Sequence, residues 1–168
     1  SDLVPISEFI PGPAIPKPLT VDSIKIATFI CYEIAYPEQV IIKTLDANLI
    51  VTVSNDAWFG HSVAQAQHLE MAEMRAIEVG RPVLFVSNNG LTAIVTPDGK
   101  IQSSIPPFEP AVLTDTVQPM EGPTPLQTLN IFPVIGMGVF LYLLARKGRT
   151  STKHPTDKPW SGSLFTRA

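Results

Sequence analysis

The sequence is short of charge. Asp, Glu, Lys and Arg make up 16% of its 168 residues, against about 25% in an ordinary soluble protein. It holds one cysteine, which excludes a disulfide-stapled scaffold. Its 10 glycines follow no fixed period, so a collagen-like chain is excluded. The net charge of −3 lacks the positive excess of a nucleic-acid-binding domain, and no nucleic-acid partner is expected. The 3 histidines show no metal-ligand spacing, so neither a metal nor another cofactor is expected. What is present is a 45% hydrophobic content, enough for a packed core, and a length suited to about one domain. Proline, at 17 residues, is about twice as frequent as usual.

The charge is unevenly placed. Residues 1–145 hold 6 basic and 14 acidic residues, a net of −8, whereas residues 146–168 hold 6 basic and 1 acidic, a net of +5. Between them, Gly122 to Ala145 carries no charge at all. Its centre, Ile131 to Ala145, is 15 apolar or small residues in a row, short of the ~20 that cross a bilayer. Extension back to Leu126 reaches that length. Arg146, Lys147 and Arg149 follow, as in the positive-inside pattern. The run reads as one transmembrane helix over 122–146, with residues 147–168 a disordered cytoplasmic tail and residues 1–121 on the opposite side. A buried core helix is the other reading of such a run.

Residues 1–22 hold five prolines and read as an extended, loop-like beginning. Ser23–Ile30, Asn48–Ser54 and Val83–Ser87 are β-branched, apolar stretches and predict strands. Pro37 suits the first turn of a helix continuing over Glu38–Leu45. Val63–Val79 has helical spacing at Leu69, Ala72, Ala76 and Ile77, with Gly80 as a stop. Pro97-Asp98-Gly99 is a turn signal between hairpin strands at 91–96 and 100–104. A last strand is expected at 111–117. The alternation of strand and helix predicts an α/β domain with a parallel core and a terminal meander. Such sheets carry function on the loops at the C-terminal ends of their strands. Three segments fall there: Cys31-Tyr32-Glu33, Asn55 to Phe59, and Asn88-Asn89-Gly90.

Cys31 directly follows a strand and precedes a helix. That position exposes a nucleophile and offers backbone N–H groups to a developing oxyanion. A buried structural cysteine is the alternative. A nucleophile needs a base and an orienting group. His61, in the loop after the second strand, and His68, within a helix, are candidates for a Cys–His pair; ordinary polar roles remain open for both. Glu33 suits a base, an orienter or a helix-start acid.

Read together, the motifs resemble a family. Ile30-Cys31-Tyr32-Glu33 is followed by Val53-Ser54-Asn55-Asp56-Ala57-Trp58-Phe59-Gly60. Then come His68, Met74-Arg75-Ala76, Glu78, Arg81-Pro82 and Asn88-Asn89-Gly90. With Leu3 to Pro11 ahead of them, they resemble the apolipoprotein N-acyltransferases of the nitrilase, or carbon–nitrogen hydrolase, superfamily, over about residues 2–147. The resemblance implies part of an αββα sandwich followed by one C-terminal transmembrane helix. It implies a bacterial inner-membrane location with the catalytic part on the periplasmic face. It implies acyl transfer from a phospholipid, through a thioester on the cysteine, to the N-terminal diacylglyceryl-cysteine of an apolipoprotein. By match to the family motifs, Cys31 is the nucleophile, Tyr32 and Glu33 flank it, and Glu8 is a second acid supporting the site. Asn55, Trp58 and Asn89 are substrate-pocket candidates.

The superfamily triad also needs a glutamate base and an oxyanion-stabilising lysine. The glutamate has no counterpart in this chain, and the lysine would fall at or just before Ser1. Lys17 and Lys25 stand at the wrong places. The chain is therefore expected to be a C-terminal fragment, inactive alone. Two other expectations stand beside it: a membrane-anchored amidase or nitrilase with water as acceptor, and a non-catalytic, membrane-tethered binding module.

Overall fold

The computed structural model of the protein describes residues 12–13, 15–129 and 132–149. Glu8 and the expected tail beyond residue 149 lie outside the described residues. The chain divides into two units, Ser1–Asn130 and Ile131–Ala168.

The first unit is built on a six-stranded sheet: β1 (Leu19–Val21), β2 (Ile24–Ile30), β3 (Leu49–Asn55), β4 (Val83–Asn88), β5 (Thr92–Val95) and β6 (Ile101–Ile105), in that spatial order. β2, β3 and β4 are parallel, pairing Ile26 with Leu49 and Ile50 with Val83. β1, β5 and β6 join antiparallel. The parallel core and closing meander are those expected from the alternation of strand and helix signals. β1 lies inside the proline-rich beginning; it is an edge strand, the place where a sheet tolerates nearby prolines.

Two helices connect the parallel strands. α1 (Pro37–Lys43) starts on Pro37, whose missing N–H is no loss in a first turn. α2 (Ala64–Val79) ends at Gly80, whose φ of 61° forms a left-handed cap. Along α2 the buried positions are Gln65, His68, Leu69, Ala72, Ala76 and Val79, spaced by three and four residues. Ile77, expected in this stripe, is half-exposed and packs over the Gly99 turn instead. The helices cover one face of the sheet. Ala27, Phe29, Ile50, Val83, Phe85, Ala93 and Val95 alternate onto that face and form the core with Ile34, Val40, Leu69, Ala72, Ala76 and Val79. On the other face Ile30, Val53 and Val86 are 67%, 48% and 45% exposed. The described residues thus form one helix layer on one sheet, half of an αββα arrangement.

One expectation needs correction. Residues 111–117 form no strand. The segment meets β6 through a side chain, Gln102 Nε2 donating to the Thr116 carbonyl at 3.0 Å. The uncharged run carries α3 (Pro125–Leu129) and α4 (Phe132–Arg149), and among the described residues no helix is long and apolar enough to cross a membrane.

The segment around α3 is tied to the α/β body. Thr124 Oγ1 donates to the Glu78 carbonyl at 2.7 Å, and Gln127 Nε2 donates to Thr44 Oγ1 at 3.2 Å. Arg81 adds a stronger tie. It is buried and donates to the carbonyls of Ala47 at 2.6 Å and Gly122 at 2.8 Å, with Val79 and Gly80 at 3.3 Å. Burial pushes the Arg81 guanidinium below its usual pKa, and the charge of Glu121 opposes that shift. The planar fork satisfies several carbonyls at once, which a lysine cannot do. Arg81→Leu is expected to lower stability by about 1–3 kcal/mol through unsatisfied buried acceptors, with Arg81→Lys recovering only part; thermal unfolding of the variants measures both.

Candidate active site

The C-terminal ends of β2, β3 and β4 deliver three adjacent segments. Cys31 is the first residue past β2, Asp56 the first past β3, and Asn89-Gly90 follow β4. Cys31 is a free, half-buried thiol. Its φ is +52°, in the left-handed region, at a cost of about 1–2 kcal/mol for a residue with a Cβ. Such a cost persists only where the surroundings impose it.

The surroundings are polar and buried. Asp56 is fully buried and His68 is 3% exposed. Ser54 donates to Asp56 Oδ1 at 2.6 Å, and Ser87 donates to Oδ2 at 2.7 Å. His68 Nδ1 stands 3.2 Å from Asp56 Oδ1. The other ring nitrogen, Nε2, lies 3.2 Å from the Cys31 carbonyl and donates to it, since a carbonyl can only accept. The Ser54 hydroxyl also lies 3.4 Å from Cys31 Sγ. One carboxylate therefore reaches the cysteine twice, at its main chain through His68 and at its sulfur through Ser54.

The other candidates sit around this centre with different partners. Tyr32 is half-exposed, edge-on to Tyr36 with ring centroids 6.0 Å apart and tilted toward His68 at 6.2 Å. Glu33 turns back on its own helix start. Its Oε2 accepts from the Ile30 N–H at 3.0 Å and lies 3.6 Å from Lys43 Nζ, which makes it a capping acid. Asn55 Oδ1 accepts from the Ala57 N–H at 3.3 Å and from Asn88 Nδ2 at 3.5 Å, bridging two strand ends. Trp58 is 85% exposed. Asn89 has φ +58°, a conformation asparagine tolerates, and its carbonyl accepts from Gln65 Nε2 at 3.4 Å. A cleft of about 270 Å³ opens beside it between Ser87, Asn88, Gly90, Phe108 and Glu109. Among the described residues no group of three His, Cys, Asp or Glu side chains could hold a metal.

His61 stacks against Phe108, with centroids 4.3 Å apart. His68 is the histidine at the cysteine, but it meets the carbonyl rather than the sulfur. Ser54, Asp56 and Ser87 were not singled out by sequence reasoning. Their signal is faint: Ser54 and Ser87 continue the helix-facing alternation of β3 and β4, so polar residues appear on a buried face and need a shared partner.

This topology and this cysteine can be set against known proteins. A profile for carbon-nitrogen hydrolase matches residues 5–124. The chain belongs to the carbon–nitrogen hydrolase family. Among curated relatives, it is 43% identical over 141 residues to the apolipoprotein N-acyltransferase of Coxiella burnetii, covering 84% of this chain and 29% of that protein. It is 41% identical over 155 residues to the apolipoprotein N-acyltransferase of Azotobacter vinelandii, covering 90% of this chain and 30% of that protein. The chain thus spans about 30% of the length of these relatives. Among solved structures, it is similar to a carbon-nitrogen hydrolase of Helicobacter pylori G27 at 16% identity and a TM-score of 0.51, covering 58% of this chain and 42% of that one. A mutant of the Nesterenkonia AN1 amidase from the nitrilase superfamily is similar at 19% identity and a TM-score of 0.51, covering 61% and 41%. These likenesses establish the nitrilase-like α/β fold.

In this carbon–nitrogen hydrolase site the close approach of two strand ends depends on Gly90. A Cβ there would stand 2.5 Å from Ser87 Oγ and 2.8 Å from Asp56 Oδ2. Gly90→Ala is expected to cost about 1–3 kcal/mol by overpacking, read as a drop in thermal midpoint; an unchanged midpoint would show that the Asp56 cluster yields freely.

Proposed function

We propose that this chain is the nucleophile-bearing part of an apolipoprotein N-acyltransferase. The observation that carries the reading is the free Cys31 held in a left-handed turn at the end of the first parallel strand. It is supported by 41–43% identity to proteins of that name across most of the chain.

In this reading the Cys31 thiolate attacks the ester carbonyl of a phospholipid acyl chain. The carbonyl becomes a tetrahedral oxyanion and collapses to a thioester, and the lysophospholipid alkoxide leaves with a proton. The α-amino group of a diacylglyceryl-cysteine on an apolipoprotein then attacks the thioester. The amide forms, the amine gives up a proton, and the thiolate departs. A thiolate is a good leaving group, so the covalent intermediate divides one difficult transfer into two easier ones. The family pattern supplies a glutamate as general base and a lysine at the oxyanion. Tyr32, Asn55, Trp58 and Asn89 are the pocket candidates of this reading, and Glu8 and Glu33 its supporting acids, Glu33 by capping the turn that begins at Cys31.

The reading includes attachment to the bacterial inner membrane, with the α/β unit on the periplasmic face and the end of α4 toward the cytoplasm. α4 supports it. Phe140, Leu141, Tyr142, Leu143 and Leu144 are consecutive and each more than half exposed, so apolar side chains point outward on every side of the helix. Water is a poor solvent for such a surface and lipid a good one. Arg146 and Lys147 follow at once.

Incubated with a phospholipid radiolabelled in its acyl chains, the full-length protein is expected to accumulate a hydroxylamine-sensitive acyl-enzyme, and Cys31→Ala to abolish it. Label that survives the substitution removes the assignment, and release of free fatty acid without transfer to a diacylated peptide favours the amidase-like alternative. Membranes washed at alkaline pH are expected to retain the protein. An impermeant maleimide is expected to label Cys31 in intact spheroplasts. Labelling only after lysis would reverse the orientation.

A further inference from the structure

We propose that His68, anchored by Asp56, is a positioning residue for the nucleophile: it holds the carbonyl of Cys31 and thereby keeps Cys31 in its left-handed turn. The inference rests on the reading of Cys31 as the attacking group, and goes beyond it by assigning what aims the sulfur.

The geometry has three parts. The backbone at Cys31 is in a conformation that a residue with a Cβ leaves unless restrained, with φ at +52°. The restraint is a buried ring. His68 Nε2 donates to the Cys31 carbonyl at 3.2 Å, and the ring packs perpendicular to Phe85, with centroids 5.0 Å apart, and tilted to Tyr32 at 6.2 Å. The ring in turn meets a fully buried carboxylate. Asp56 accepts from Ser54 and Ser87, and its far side is closed by the backbone of Gly90. The restraint passes from β4 through Asp56 and α2 to the main chain of the cysteine, spanning 31 and then 37 residues of sequence.

Neither ring nitrogen of His68 contacts Cys31 Sγ, so His68 is not a base for the thiol in this arrangement. Its effect is on where the sulfur stands. An attacking atom displaced by about 1 Å loses on the order of 100-fold in rate. Loss of the carbonyl bond therefore predicts slower acylation without weaker substrate binding.

Two substitutions divide the ring's functions. In His68→Gln the side-chain amide nitrogen can occupy the place of Nε2 and keep the bond to Cys31. In His68→Asn it can occupy the place of Nδ1, keeping Asp56 but releasing Cys31. Both are made in the full-length protein, and single-turnover thioester formation is measured from radiolabelled phosphatidylethanolamine and phosphatidylglycerol vesicles, normalised to the folded fraction. His68→Asn is expected to acylate about 30- to 100-fold more slowly with an unchanged KM for the donor, and His68→Gln to stay within about 5-fold of the unsubstituted protein. Equal losses in both variants, or an Asn variant as fast as the unsubstituted protein, overturn the proposal. If neither variant folds, Ser87→Ala serves. It meets the relay at its far end, on Asp56, and an acylation rate lowered about 3- to 10-fold at constant KM supports positioning, whereas an unchanged rate overturns it. Acyl-enzyme that persists in Cys31→Ala would instead sink the nucleophile reading itself.

Discussion

The carboxylate of Asp56 is the point on which the architecture of the site depends. A buried charge with no donors would be strongly unfavourable, and this one is met from three elements. Ser54 comes from β3, Ser87 from β4 and His68 from α2. Each partner is also a structural commitment, because its element must stand at the right height for the contact to close. The cluster therefore sets the relative positions of the strand ends and the covering helix. The loops that carry the candidate chemistry inherit those positions, and so the Cys31 turn is fixed by its surroundings rather than by its own preference.

The fold around this point separates two kinds of surface. The helix-facing side of the sheet is dry and closely packed, with Phe29, Phe85 and Ile50 fully buried. Near the C-terminal ends of the strands that same side turns polar, as Ser54 and Ser87 follow Thr52 and Phe85 in the alternation. The transition places a hydrogen-bonded centre directly against a rigid core, which limits how far its members can drift. Arg81 does a related task at the opposite end of the strands. It gathers carbonyls from Ala47 and Gly122 and binds the segment leading to α3 onto the body.

Charge is scarce in the α/β unit as well, with 20 charged residues among residues 1–130, and α4 carries none until Arg146. The proposed membrane attachment assigns lipid to the exposed aliphatic and aromatic side chains of that helix. The first part of the apolar stretch is tied to the body, where Thr124 and Gln127 are hydrogen-bonded.

Local chemistry written in the sequence was sufficient for the strands of the parallel core, for α1 starting at Pro37, for α2 stopping at Gly80 and for the hairpin at Pro97-Asp98-Gly99. Side-chain branching, proline geometry and glycine φ act over a few residues, so they can be read in order along the chain. The family motif around Cys31 was legible in the same way. The tertiary structure decided what those rules do not reach. It made Glu33 a cap, left Ile77 on the surface and kept 111–117 out of the sheet. It also brought His68 to the Cys31 carbonyl and buried Asp56 between two serines. The last two depend on partners tens of residues away, because the energy of a buried polar group is set by whatever donors the fold brings to it as well as by its neighbours in sequence.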